Sequence, residues 1–492
     1  MTTDSTQLKP GEDNVLTALD ARPASRFYWQ LTLLSTIGGF LFGYDTANIG
    51  SALNVIPYHL NGFAQGYLVA GASLGAAVGA LGAGPLADRF GRKSLLIIDA
   101  AIYAAGALLS AFTPNVGVLL FARTLIGLGI GGDSAIATAY IAEYAPRGKR
   151  GQLGMLQQWM ITVGILVAYL VALVIFSGWR GSATGADWRV ILGLGAVPAL
   201  IAVVLRSSMP ESPRWLLKHG KFGQMRDALA VLGVEATEDQ VRATARQLER
   251  ADAQEETKAG RRARWTPGVR RALIIVCVFF IFQQITGINV PLYYGPKLLG
   301  SLFPGGAGTV GSTISGVEIT SIMTAVNVAA TFVAFRLIDR AGRRKLAISG
   351  YAGMAVSAVL AAAALGALSG TTRIIVVAVA LDLFIASFAA GVGGTGWVLQ
   401  GEVFPTAVRG QAAAIAACVD WIANFALVEV FPTWQSGIGL AWVLVCFAAL
   451  CVMAIAFVFW FLPETKGRPV EEIISLFERE AGGGQREAAV RG

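Results

Sequence analysis

Apolar and polar positions alternate along this chain on the scale of whole helices. Runs of Leu, Val, Ile, Ala and Phe long enough to cross a bilayer fall at 27–53, 62–87, 94–112, 116–144, 150–177 and 189–206. A second set covers 271–300, 311–339, 346–369, 372–403, 410–437 and 439–462. The pattern predicts an all-α membrane protein of twelve transmembrane helices, six plus six, numbered here span 1 to span 12. The polar stretch 207–270 between the sets reads as a helical insert. Its apolar stripe is Trp215, Leu216, Leu217, Met225, Leu229 and Leu232, followed by a charged helical pattern over 240–258. Residues 1–26 are polar, lack the apolar core of a cleaved signal peptide, and read as a disordered tail.

The two sets repeat one another. Leu86-Ala87-Asp88-Arg89-Phe90-Gly91-Arg92-Lys93 returns as Leu337-Ile338-Asp339-Arg340-Ala341-Gly342-Arg343-Arg344. Glu143 and Arg150-Gly151 return as Glu402 and Arg409-Gly410, and Pro210-Glu211 returns as Pro463-Glu464. Near-constant offsets at matching places predict two pseudo-symmetric six-helix bundles, 27–206 and 271–463, related by an axis along the membrane normal. The insert 207–270 joins them and 464–492 form a second tail. Such a pair places its substrate site between the bundles, near the midplane.

Composition agrees and narrows the class. The chain is 55% hydrophobic and 14% charged, against about 25% charged in soluble domains. Its 39 Lys and Arg against 31 Asp and Glu concentrate in the loops 88–93, 147–150 and 336–345, in the insert and after Pro463. That distribution sets topology, with both termini and the insert cytoplasmic in a multi-pass cell membrane protein; it does not mark a nucleic-acid surface. Basic residues of the insert could meet anionic lipid head groups, although a solvated cap explains them as simply. The absence of N-x-Ser/Thr sites fits a bacterial inner membrane. Cys277, Cys418, Cys446 and Cys451 lie singly in apolar runs, and His59 and His219 stand far apart, so no disulfide framework or metal site is expected. Gly127–Gly132 fits GxGxxG but lies in mid-span with no strand before it, which points to close helix packing. No nucleophile–base pair or phosphate loop appears, so neither an enzyme nor a cofactor is expected.

The informative residues are polar ones in apolar surroundings. Span 7 carries Gln283, Gln284, Asn289, Tyr293 and Tyr294, and Pro291 should bend it by removing a donor to the carbonyl of Gly287. Neutral donors and acceptors in such density suit a polyhydroxylated solute, while glue between helices is the plainer reading. Asp45 in span 1 and Arg123 in span 4 lie well inside their spans. A buried carboxylate beside a guanidinium can be ionised and paired or protonated and released, or it can be a static structural pair.

These motifs together resemble the major facilitator superfamily and, within it, the sugar porter family of bacterial proton-coupled symporters, over about residues 27–467. The resemblance rests on Gly38-Gly39-Phe40-Leu41-Phe42-Gly43-Tyr44-Asp45, Asp88-Arg89-Phe90-Gly91-Arg92-Lys93, Pro210-Glu211-Ser212-Pro213-Arg214-Trp215-Leu216, Gln283-Gln284 with Gly287-Ile288-Asn289, and Pro463-Glu464-Thr465-Lys466-Gly467. It implies the major facilitator fold and symport of a monosaccharide or polyol with protons by alternating access, the protein working as a monomer among membrane lipids. It implies Asp45 as proton site with Arg123 as partner. It implies Gln158, Gln283, Gln284, Asn289, Tyr293, Asn327, Trp397 and Asn424 as substrate-binding residues; amides suit hydroxyls and an indole suits a sugar face. Asp88, Arg89, Arg92, Glu143, Arg150, Asp339, Arg340, Arg343, Glu402 and Arg409 would form a cytoplasmic gate. For Trp159 and Trp421, packing is the simpler reading.

The sequence also departs from that pattern. Asp133 follows Gly131-Gly132 where the family carries a small neutral residue, Thr138 replaces a proline, and Gly394 replaces another. Asp420 stands beside Trp421 where a glutamine is usual, and Glu318, Asp382 and Glu429 add further acids. Asp133 and Asp420 make a possible second acidic site. A Gly-Gly-Asp in span 4 resembles proton symporters for phosphate or organic anions, which stands as the alternative function, beside an uncoupled sugar facilitator or a sugar sensor.

Overall fold

The computed structural model describes residues 6–7, 15, 26–58, 60–144, 150–178, 187–231, 234–247, 265–303, 310–405, 408–466 and 472–477. Eleven helices among them are long and apolar enough to span a membrane. The twelfth, span 1, is divided into Arg26–Ser35 and Ile37–Ala52. Large apolar side chains such as Val174, Val356 and Trp460 face outward at about 70% exposure (71%, 70% and 71%). Such a surface needs lipid rather than water around it, so this is a multi-pass membrane protein.

Local chemistry sets where the spans begin. Asn61 accepts from the amide of Ala64 at 2.7 Å to open span 2, Gly62–Phe90. Thr266 accepts from the amide of Val269 at 3.3 Å, with Pro267 in the first turn of span 7. Span 2 ends at Gly91 and span 8, Val310–Ala341, ends at Gly342; both glycines adopt positive φ (97° and 90°) and let the chain turn into spans 3 and 9, Arg92–Ala111 and Arg343–Ala367.

Spans 1 to 6 pack with one another, as do spans 7 to 12, giving two six-helix bundles. The bundles meet where span 2 packs on span 11 (Arg409–Ile438), span 5 (Arg150–Gly178) on span 8, and the second half of span 1 on the second half of span 7. Small residues make these approaches close. Gly127 and Gly131 press on Ala72 and Ala76 of span 2, so the GxGxxG stretch serves helix packing. All four cysteines are free thiols.

The insert docks on the first bundle. Trp215, Leu216, Leu217, Met225 and Leu229 are buried with Leu95, Leu96 and Ile136, and Trp215 Nε1 donates to the Asp88 carbonyl at 2.9 Å. Leu232 and residues 248–258 of the expected charged helix lie outside the described residues. Within the stretch read as a disordered tail, Thr6–Gln7 pair in parallel with Val234–Glu235, and the Val15 amide donates to Thr244 Oγ1 at 3.2 Å. The face bearing the insert and the loops at 88–93 and 339–344 is called the basic face below.

Candidate functional site

Spans 7 and 10 are broken where the bundles meet, and span 1 within the first bundle. Span 1 breaks at Thr36, span 10 at Val392 between Gly370–Gly391 and Gly393–Glu402, and span 7 between Pro267–Ile285 and Asn289–Gly300. In span 7 the turn is made by Gly287 at φ 92°, whose amide donates to the Gln284 carbonyl at 3.0 Å. The ring of Phe447 fills the place where a β-carbon on Gly287 would stand. The bend expected from Pro291 therefore sits four residues earlier. Pro291 occupies the first turn of the restarted helix, where a missing N–H costs no helical bond.

The break gathers amides. Gln283 and Gln284 come from the last turn before it and Asn289 from the first residue after it. Gln284 Nε2 donates to Asp420 Oδ1 at 2.6 Å, and Gln284 Oε1 accepts from Asn289 Nδ2 at 2.7 Å. Asn289 Nδ2 also donates to Asn424 Oδ1 at 2.9 Å, and Asn424 Nδ2 donates to Ser73 Oγ of span 2 at 3.0 Å. One chain of side-chain hydrogen bonds thus runs from Asp420 across the bundle interface. Gln283 Nε2 reaches the Gly393 carbonyl at the break of span 10, at 3.2 Å, while its Oε1 is buried with no partner. Gly394 and Gly396 are required there because Met155 and Gln283 occupy the space of their β-carbons.

These groups wall a cavity between the bundles. The centre of a water molecule can move through about 50 Å³ of it, and one water needs roughly 10–15 Å³, so it is wet. Gln158, Gln283, Gln284, Asn289, Asn327, Trp397, Asp420 and Asn424 all line it. The lining contains Asp420 and no Lys, Arg or His among the described residues. Thr46, Thr162 and Phe388 line it as well, although nothing in their local sequence marked them, and so does Trp421, for which packing was the simpler reading. Trp421 packs edge-on against Phe42 at 4.8 Å, so its ring both packs and faces the cavity. Trp159 lies elsewhere, against Phe332 of span 8. Tyr293 is buried and does not line the cavity; it lies close to Thr46 and Asn424.

Two of the carbonyls that prolines leave without helical donors are answered by tyrosines. Pro296 cannot donate to the Leu292 carbonyl; the Tyr169 hydroxyl of span 5 does so at 2.6 Å, across the interface. Pro432 cannot donate to the Val428 carbonyl; the Tyr294 hydroxyl does so at 2.9 Å, within the second bundle.

Two ion pairs are buried in the first bundle. Arg123, fully buried, donates both terminal nitrogens to the Asp45 carboxylate, one at 2.7 Å, and Nε to the Leu68 carbonyl at 3.0 Å. This pair does not line the cavity; Thr46 and Tyr293 stand between them. Asp133 is also remote from the cavity. It pairs with Arg206, a fully buried guanidinium that also donates to the Leu96 carbonyl at 2.7 Å. Asp133 and Asp420 therefore do not form one site.

At the basic face, Glu211 accepts from the amides of Arg92 and Lys93 at 2.9 and 3.1 Å. Glu464 accepts from those of Arg343 and Arg344 at 3.0 and 3.1 Å, repeating the arrangement in the second bundle. The sequence marked these glutamates only as motif letters; their role is to place a carboxylate on the exposed N–H groups of spans 3 and 9. Of the expected gate residues, Arg92 pairs with Asp88 at 2.9 Å and Arg343 with Glu402 at 2.6 Å, and Thr465 donates to Glu402 at 3.0 Å. Arg409 Nε donates to the Phe404 carbonyl at 3.1 Å, the Arg340 carbonyl accepts from Lys466, and Arg89 lies over Phe90. The side chains of Glu143, Arg150 and Asp339 lie outside the described residues, as does that of Thr138.

Comparison with known proteins adds to this geometry. The family model described as "Sugar (and other) transporter" matches residues 31–477. The glucose transporter GlcP of Staphylococcus epidermidis is 36% identical over 447 residues, covering 90% of this chain and 95% of that protein. The arabinose-proton symporter of Bacillus subtilis is 34% identical over 445 residues, covering 90% and 93%. The solved structure of XylE, the proton:xylose symporter of E. coli, bound to 6-bromo-6-deoxy-D-glucose, has a TM-score of 0.76 at 30% identity, covering 92% of this chain and 100% of that one.

Proposed function

The chain belongs to the sugar transporter family of the major facilitator superfamily, and from that premise we propose that it is a proton-coupled symporter for a monosaccharide or polyol. The observation that carries the reading is the cavity. It is a wet pocket between the bundles, walled by amides and indoles, holding an acid and, among the described residues, no cationic lining residue. Amides of Gln158, Gln283, Gln284, Asn289, Asn327 and Asn424 exchange their bonds with water or one another for bonds with hydroxyls, and Trp397 covers the apolar sugar face. Tyr293 lies close to Asn424 of the chain of amides and to the Asp45–Arg123 pair.

In this reading the basic face is cytoplasmic, with both termini and the insert 207–270 on that side and the bundles 27–206 and 271–463 rocking about the cavity. One chain is the transport unit. Asp45 protonated from outside loosens from Arg123, the outward state binds sugar, and inward opening releases both. Pairs such as Arg343–Glu402 join the cytoplasmic ends of spans within one bundle and exchange between the two states. The likeness to the arabinose-proton symporter and to XylE supports proton coupling over simple facilitation.

An anion substrate loses its motive, because Asp133 is bound to Arg206 away from the cavity. The test is a radiolabelled uptake panel in liposomes with and without a pH gradient. A hexose, pentose or polyol should accumulate uphill only with the gradient. Asp45→Asn should abolish accumulation and leave sugar counterflow. Loss of both together makes the pair structural, and competition by phosphate but by no sugar restores the anion reading.

A further inference from the structure

A buried cluster in the first bundle has no part in the mechanism above. Arg206 of span 6 is fully buried and pairs with Asp133 of span 4 through Asp133 Oδ2. Asp99 of span 3 faces the same small void as Asp133, at 5% exposure against 3% for Asp133. Each acid keeps one oxygen, Asp99 Oδ2 and Asp133 Oδ1, buried with no hydrogen-bond partner. The other groups around the void are Gly38 and Leu41 of span 1, Ala100 and Tyr103 of span 3, and Gly129 and Ile130 of span 4. Tyr103 is the one further titratable group among them. Beyond it stands the Asp45–Arg123 pair, already mutually satisfied.

Charge and space then decide what can occupy the cluster. Two ionised carboxylates and one guanidinium leave a net negative charge in a region shielded from water, and an uncompensated buried charge is among the costliest features a fold can carry. The void has no room for even one water centre, so neither a water nor a metal ion with its several ligands can neutralise it. A proton needs no such room. Placed on either acid, it turns one acceptor into a donor and brings the charge of the cluster to zero.

We infer that Asp99 and Asp133 hold one proton between them beside Arg206, forming a second proton-binding site that is separate from Asp45 and closed to the sugar cavity. The site adjoins the break of span 1: Arg206 donates to the carbonyls of Leu34 and Ser35 at 3.4 and 3.3 Å, in the last turn before Thr36. Proton occupancy thus bears on the joint of the span that carries Asp45.

Infrared spectroscopy of the full chain in liposomes reads the proton directly, through the carbonyl stretch of a protonated carboxylic acid at neutral pH. The band should persist in Asp45→Asn and Asp420→Asn. It should vanish in Asp99→Asn and equally in Asp133→Asn, because the one remaining carboxylate then pairs with Arg206 and ionises. A merely structural pair would not give that reciprocal loss. Retention of the band in both single variants overturns the inference. The parent protein supplies a test independent of folding in the variants. Its acid must exchange slowly in D2O, since the void admits no water, and a parent spectrum without a slowly exchanging carboxylic acid also overturns it.

Discussion

Tyr169→Phe removes a single oxygen, one that joins the two bundles. Both partners are buried, and the Leu292 carbonyl has no helical donor because residue 296 is proline. Leaving a buried acceptor unsatisfied costs about 1–3 kcal/mol. The cost is felt only while spans 5 and 7 stay packed away from the basic face, so a two-state equilibrium should move toward the parted arrangement by roughly 5- to 150-fold. Tyr294→Phe is the matched control. It orphans the Val428 carbonyl by the same chemistry, yet donor and acceptor lie in one bundle. It should lower thermal stability without separating the bundles. Spin labels at exposed Phe112 and Ile438, on a background with the four cysteines replaced, report the separation by pulsed electron resonance. The long-distance population should grow in Tyr169→Phe and stay level in Tyr294→Phe. Equal responses of the two variants, or no response to Tyr169→Phe, would refute a bond that favours the packed state.

Three further outcomes follow from the geometry. Gln284→Ala removes the donor to Asp420 and the acceptor for Asn289, so sugar affinity read by tryptophan quenching should fall about 2- to 10-fold; unchanged affinity would place binding elsewhere. Glu211→Ala and Glu464→Ala each strip two backbone amides of a charged acceptor, worth about 1–3 kcal/mol, and should lower the unfolding temperature by similar amounts, whereas a loss in one variant alone would deny the equivalence of the two caps. Gly287→Ala forces a β-carbon onto Phe447 at positive φ and should destabilise by about 1–3 kcal/mol, with partial rescue by Phe447→Leu; parent-like stability would show that the break relaxes freely.

Much of the fold was legible because its signals are local or repeated. Apolar runs located every span within a few residues, and the recurrence of Asp88–Arg92 as Asp339–Arg343 gave the two halves. Seven of the eight expected sugar-binding residues line one cavity, since polar groups in lipid have few places to go. What escaped notice depends on partners from distant spans. Asp133 resembled an anion motif, and nothing in the sequence marked Arg206, the last residue of the run 189–206, as its partner. Asp99 drew no attention for the same reason. Thr36 and Val392 break their spans without proline, so only the neighbouring glycines hinted at them. Pro291 drew attention as the bend, although the positive φ of Gly287 makes it.

Glu211 and Glu464 also have a mechanical consequence. Neither lies in a helix; each sits where the chain leaves the last span of its bundle and grips the start of the third. Tension entering along the chain where it leaves either bundle therefore reaches a charged clasp before it can peel off the last span. Each bundle is thus fastened at the end where its chain leaves and not at the end where it enters, so a pull should open it from its first span rather than its last.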